Sequence, residues 1–145
     1  MIRRLAHVAA TVAVLPLLAG CGGTSYCDAV KSHQAELGTI TQGDGRTALL
    51  RALPVFEDLR AKAPADVADD WQLLVTRITA LQKALDDAHV DPTTYDPRHP
   101  PAGMTAQQRQ AIRRAAAGIA AADTQQALSD VQQEVLDVCR TPLEL

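Results

Sequence analysis

The chain has 145 residues, 47% of them hydrophobic, with 14 basic against 17 acidic side chains. That length suits one domain with a buried core, and a net charge of −3 leaves no basic surface to displace counterions from a nucleic acid. Tyr26, Phe56, Trp71 and Tyr95 are the whole aromatic set, too few for the stacked rings of a carbohydrate site or an aromatic cage.

Export is written at the start. Arg3 and Arg4 are followed by an apolar run from Leu5 to Leu18 with no charged residue apart from what His7 carries, and then by the small residues Ala19 and Gly20 before Cys21. The run is shorter than the roughly 20 residues a bilayer-spanning helix requires, and an ordinary secretion signal needs no cysteine at the cut. Residues 1–21 resemble the signal peptide and lipobox of bacterial lipoproteins, with Leu18-Ala19-Gly20-Cys21 as the box. The resemblance implies acylation of the Cys21 thiol, cleavage after Gly20, and anchoring on the extracytoplasmic face of the cell membrane, each buried methylene contributing about 0.8 kcal/mol. A buried or unmodified cysteine behind a plain secretory signal is the competing reading. Residues 1–20 are then the leader, 21–25 a lipidated tether and 26–142 a single domain. Loss of Arg3 and Arg4 leaves that domain more acidic still, which argues against adhesion to anionic headgroups beyond the lipid itself.

With Cys21 committed to lipid, Cys27 and Cys139 remain, near the two ends of the exported chain and in a compartment where disulfides persist. A bridge between them would contribute roughly 4 to 5 kcal/mol by restricting the unfolded chain. Two unpaired thiols are the alternative, and the lack of Cys-x-x-Cys spacing disfavours a redox pair.

The first predicted helix is capped by Ser25, carries Asp28 in its first turn, and presents Cys27, Val30, Gln34 and Leu37 on one face. Gly38 and the stretch from Thr41 to Gly45 end it. A second helix runs from Arg46 to Lys62 and buries Leu49, Leu50, Leu53, Phe56 and Leu59, with Pro54 either kinking it or starting a new helix. The third has Pro64 in its first turn, acidic residues at its N-terminal end, and an unbroken stripe of Val67, Trp71, Leu74, Ile78, Leu81, Leu85 and Ala88. That stripe is a central core helix before it is a partner-binding seam or a groove for a lipid-like ligand.

Residues 90–104 break the pattern. Pro92, Pro97, Pro100 and Pro101 exclude a regular helix, and long irregular loops often carry contacts. Tyr95, Arg98 and His99 make this loop the candidate contact site, against the plainer reading of a rigid spacer. Thr105 with Gln108 makes a capping box for the last helical region, whose inner face is Ile112, Ala115, Ala116 and Ile119, then Leu128, Val131, Val135 and Cys139. Gly118 and the Asp123-x-x-Gln126 pattern mark a bend or restart between the two halves. The fold class is therefore all-α: an up-and-down bundle of about four helices, kinked near Pro54 and Asp123 and closed by one disulfide, because an even count of helices brings Cys27 and Cys139 to the same end.

Catalytic signatures are missing. His33, His89 and His99 lack metal-ligand spacing, so no metal or other cofactor is expected. Asp69-Asp70 and Asp86-Asp87 are helix neighbours that point apart, and no nucleophile elbow, phosphate loop or dinucleotide fingerprint occurs. The order of Cys27, the segment from Ala63 to Trp71 and the late Cys139 resembles that of small helical lipoproteins of actinobacteria, a resemblance that implies no activity. The expectation is a non-catalytic interaction or structural module of the cell envelope, held by its lipid and contacting an envelope protein. The alternative is a carrier or sensor of a small apolar or lipid-like ligand inside the Ala- and Leu-rich bundle.

Overall fold

The computed structural model describes residues 22–43, 45 and 47–143. Cys21, the expected lipidation site, and the leader before it lie outside the described residues. The described residues form five α-helices, α1 (Gly22–Gln42), α2 (Ala48–Lys62), α3 (Ala68–Asp87), α4 (Ala106–Ile119) and α5 (Ala122–Cys139), with a 3-10 turn (Ala65–Val67) ahead of α3. No strand occurs among the described residues.

Helix α1 departs from expectation at both ends. It starts at Gly22 rather than at a Ser25 cap, so residues 22–25 of the expected tether are already helical. It also passes through Gly38 to Gln42. A glycine costs a helix only about 1 kcal/mol, and extending an existing helix avoids the cost of a new nucleus. Beyond Gly38, burial of Ile40 on the same face as Leu37 offsets that loss. Pro54 sits inside α2 without dividing it. Ala52, Leu53, Val55, Phe56 and Leu59 are buried around it, and their packing outweighs the one backbone bond the proline removes. Leu49 was expected inside and is exposed instead.

The α3 stripe holds for most of its length. Val67, Trp71, Leu74, Ile78 and Leu85 are buried, while Leu81 and Ala88 are half-covered. Pro64 precedes the 3-10 turn with extended backbone instead of lying in the first turn of α3. The helix then stops in a way the sequence does not announce. His89 adopts the left-handed conformation at φ 54°, its N–H donates to Asp86 O at 2.9 Å, and Val90 N–H donates to Leu85 O at 3.2 Å. This is the Schellman arrangement, with His89 in the place glycine usually takes and with the Val90 and Leu85 side chains in the same apolar cluster.

The last helical region is two helices, not one kinked helix. Backbone at Ala121 is extended, with ψ 150°, between the end of α4 and the start of α5. The junction is stitched by side chains from α5. Thr124 Oγ1 donates to Gly118 O at 2.7 Å, which also accepts from Ala121 N–H at 3.4 Å, and Gln125 Nε2 donates to Ile119 O at 3.0 Å, so side chains of α5 bond the carbonyls at the end of α4. From α3, Arg77 lies against Gly118, where any Cβ would meet its side chain at 3.4 Å. Its Nη2 donates to Asp123 Oδ2 at 3.0 Å. The Thr124 N–H first, and then Arg77, hold the Asp123 carboxyl below its ordinary pKa.

Packing divides into two clusters along α3. The larger surrounds Trp71, which is fully buried with Tyr26, Phe56, Leu59, Val131 and Val135. Trp71 Nε1 donates to the Tyr26 hydroxyl at 2.9 Å, and the Trp71 and Phe56 rings meet edge to face at 5.4 Å. Burial pushes the Tyr26 hydroxyl above its ordinary pKa. At the same end Cys27 is joined to Cys139, their Cα atoms 5.1 Å apart across a sequence separation of 112. Left-handed Arg140 turns the chain back on itself. Beyond it Leu143 is buried, and Gln34 bonds the Thr141 hydroxyl and, at 3.3 Å, the carbonyl of Pro142. The smaller cluster lies toward the other end of α3, about 21 Å away along the helix from Trp71 to Leu85. Its buried members are Ala84, Leu85 and Ile112.

Candidate functional site

The smaller cluster is small because α4 supplies little volume. Its sequence Ala-Gln-Gln-Arg-Gln-Ala-Ile-Arg-Arg-Ala-Ala-Ala-Gly-Ile puts one large apolar side chain, Ile112, among alanines in its middle. Ile112 is the only residue of α4 that is buried. Of the inner face expected for it, Ala115 and Ile119 are half-covered and Ala116 is exposed. Across from these alanines stand Leu81 and Leu85 of α3 and Leu50 at the start of α2. Space remains between them.

The proline-rich loop forms the other side of that space. It is a chain of turns, each fastened by its own side chain. Asp91 Oδ1 accepts from Thr93 N–H at 2.8 Å and from its hydroxyl at 2.7 Å, and these bonds hold the Asp91 carboxyl below its ordinary pKa. Asp91 O accepts from Tyr95 N–H at 2.9 Å. Asp96 Oδ1 accepts from Arg98 N–H at 2.8 Å. Gly103, at φ 89°, makes a conformation open to few other residues. Arg109 Nη1 from α4 donates to Met104 O at 2.6 Å, and Gln108 Nε2 donates to Asp87 O at 3.1 Å, which ties the loop's exit to the end of α3. The capping box of Thr105 and Gln108 forms as expected.

Between loop and helices lies a partly open cavity of about 450 Å³. Pro92, Tyr95 and Pro97 face it from the loop, and Ile112, Arg113 and Ala116 face it from α4. Tyr95 and the exposed Arg113 are the only lining residues with polar side chains, and the wall is mainly apolar. The Tyr95 hydroxyl's bond is a weak one to Met104 Sδ at 4.0 Å. Arg113 Nη2 donates to the neutral Gln110 Oε1 at 2.7 Å. Volumes of 300 to roughly 1,000 Å³, apolar walls and one or two polar groups are the usual make-up of small-molecule sites.

The residues singled out in the loop therefore separate. Tyr95 is half-covered and belongs to the cavity wall. Arg98 is exposed and borders an adjoining depression that shares Tyr95 and Pro97 with the cavity. His99 is in neither wall; its Nδ1 and Asp96 Oδ2 lie 2.8 Å apart on the surface. His33 is distant in sequence, between Glu36 and Asp58 at 3.2 and 3.1 Å. Among the described residues no group of three or more His, Cys, Asp or Glu side chains is placed to hold a metal ion, and no helix is long and apolar enough to cross a membrane.

Sequence reasoning missed Arg113, read Leu50 and Ile112 only as core, and placed Leu81 and Leu85 in a stripe that is core before it is a seam or groove. The alanine-rich composition did signal a gap, but placed it inside the bundle. No family model, curated protein or solved structure matches this chain.

Proposed function

We propose that the protein is a lipoprotein anchored through acylated Cys21 on the extracytoplasmic face of the cell membrane, and that its domain is a non-catalytic binding module. The cavity between the proline-rich loop, α3 and α4 is its binding site, and a small, mainly apolar ligand is its occupant. The observation that carries this reading is the cavity itself: about 450 Å³ of apolar-walled space beside a core in which the largest side chains are fully buried. A packed domain with no binding role has no reason to keep such space, because each unfilled contact forfeits dispersion energy.

The helices support the placement. Both α4 and α5 pack on α3 and hardly on each other, so together they act as one broken arm of an up-and-down bundle. The anchored end then carries the disulfide and the opposite end carries the cavity. A second reading has one observation in its favour: Arg98 and His99 are exposed on a well-fastened loop, a surface an envelope protein could contact.

Every residue of the two clusters lies between Tyr26 and Leu143, so a chain from residue 21 carrying Cys21→Ser retains the domain without its lipid. The test has two arms. In cells, a palmitate label should appear on the natural chain and not on Cys21→Ser; no label on the natural chain would refute the anchor. In solution, the neutral fluorophore N-phenylnaphthylamine should bind the Cys21→Ser chain, and Ala116→Trp, which fills the cavity from an exposed position, should abolish binding. Equal binding by both chains would place the ligand elsewhere.

A further inference from the structure

We infer that the occupant is a single-chain aliphatic anion, a long-chain carboxylate, whose tail lies along Leu81 and Ile112 and whose head pairs with Arg113. The inference rests on the reading of the cavity as a ligand site and adds the chemical class.

Three observations support it. First, Arg113 is the only ionisable side chain in the cavity wall apart from the Tyr95 phenol. A positive group at the edge of an apolar cleft is notable in a chain with an acidic excess, and it selects a ligand with one anionic end and an apolar remainder. Second, Arg113 forms no ion pair among the described residues, its hydrogen-bond partner there being the amide oxygen of Gln110. Its planar fork of donors is therefore open to a carboxylate, which a guanidinium binds in bidentate fashion. No acidic residue lines the cavity; Asp96 borders the adjoining depression. Third, Arg98 borders that depression beside the shared Tyr95 and Pro97, so a second cation lies on the same rim.

The position of the cavity decides the source of the ligand. It lies about 21 Å along α3 from the Cys27 end, where the lipid attaches. A chain anchored at Cys21, next to the start of α1 at Gly22, presents the cavity away from the bilayer, so the ligand is a monomer dissolved outside the membrane and not a lipid still embedded in it.

The experiment displaces N-phenylnaphthylamine from the Cys21→Ser chain with dodecanoate and with dodecanol, both below their aggregation limits. Dodecanoate should displace the probe at an about fivefold lower concentration than the alcohol, an advantage that shrinks with added salt. Arg113→Gln should bring acid and alcohol to parity, and Arg114→Gln, on the neighbouring exposed residue, should leave the preference intact. Acid and alcohol displacing equally in the unsubstituted chain would overturn the carboxylate inference while leaving the cavity reading standing, provided Ala116→Trp still abolishes binding. A preference that survives Arg113→Gln would overturn the assignment of the head group. No probe binding at all, together with a protein crosslinked to residues 91–103 in envelope membranes, would overturn both the inference and the cavity reading.

Discussion

The two ends of α3 are built from the same helix on different terms. At its start, large side chains from α1, α2 and α5 close on Trp71, which spends its one donor on Tyr26. A disulfide ties down the chain termini beside it. At its finish, Leu81 and Leu85 face alanines and a loop of prolines, and the gap stays open. Residue size accounts for the difference. A stripe buries fully only where the partner helix brings matching volume, and at this end α4 brings only Ile112. The first end holds the fold together; the second is free to hold something else.

The strongest way to break that contrast is to truncate each end. Trp71→Ala should cost about 3 to 5 kcal/mol, since it leaves a cavity and strips Tyr26 of its partner. Leu81→Ala, half-exposed beside an existing cavity, should cost under about 2 kcal/mol. Urea unfolding of both chains measures the two, and similar losses would show that the ends are equally well packed. Replacing Cys27 and Cys139 with serine should cost about 2 to 5 kcal/mol and leave probe binding at the far end unchanged after refolding below the new midpoint.

Filling is the complementary move. Ala116→Trp should change stability by no more than about 0.5 kcal/mol, as substitutions at exposed positions usually do, while removing ligand binding. A large destabilisation would mean that the cavity is closed in solution.

Smaller effects belong to the surface. Lys62 and then His33 hold the Asp58 carboxyl below its ordinary pKa of 3.8. A depressed carboxyl contributes stability above its unfolded pKa and loses it as pH falls through the folded value. The urea midpoint should therefore fall below about pH 4, and Asp58→Asn should flatten that fall. Asp58 is 39% exposed and its partners are solvated, so the effect should stay under about 1 kcal/mol. Asp70 works in the opposite sense: burial, and then Asp130 and Asp69, hold its carboxyl above the ordinary value, so Asp70→Asn should relieve a penalty present at neutral pH. Smallest of all, His89→Gly should raise stability by about 0.5 kcal/mol, because glycine takes the left-handed position at the end of α3 without strain.

The well-packed end was largely legible. Periodicity exposed the α3 stripe, compartment and position pointed to Cys27 and Cys139, and Thr105 with Gln108 announced the start of α4. The misreadings share a cause. Gly38 carries a strong local preference that tertiary packing overrides, as buried Ile40 shows. His89 is a helix terminator only because its neighbours complete the hydrogen-bond pattern. Leu49 and Leu50 look alike in sequence, yet one is exposed and the other lines the cavity. The cavity itself depends on which alanines face which leucines across three elements, a relation no single segment contains. Arg113 was invisible for the same reason: one arginine in a polar helix has no signature until the wall around it exists.

The central claim is that one end of the molecule binds and the other does not. Methyl resonances of the Cys21→Ser chain, followed by NMR as N-phenylnaphthylamine is added, test it most directly. The account predicts shifts for Leu81, Leu85 and Ile112 and none for Val131 or Val135. Shifts centred on Val131 and Val135, or no shifts at all, would contradict it.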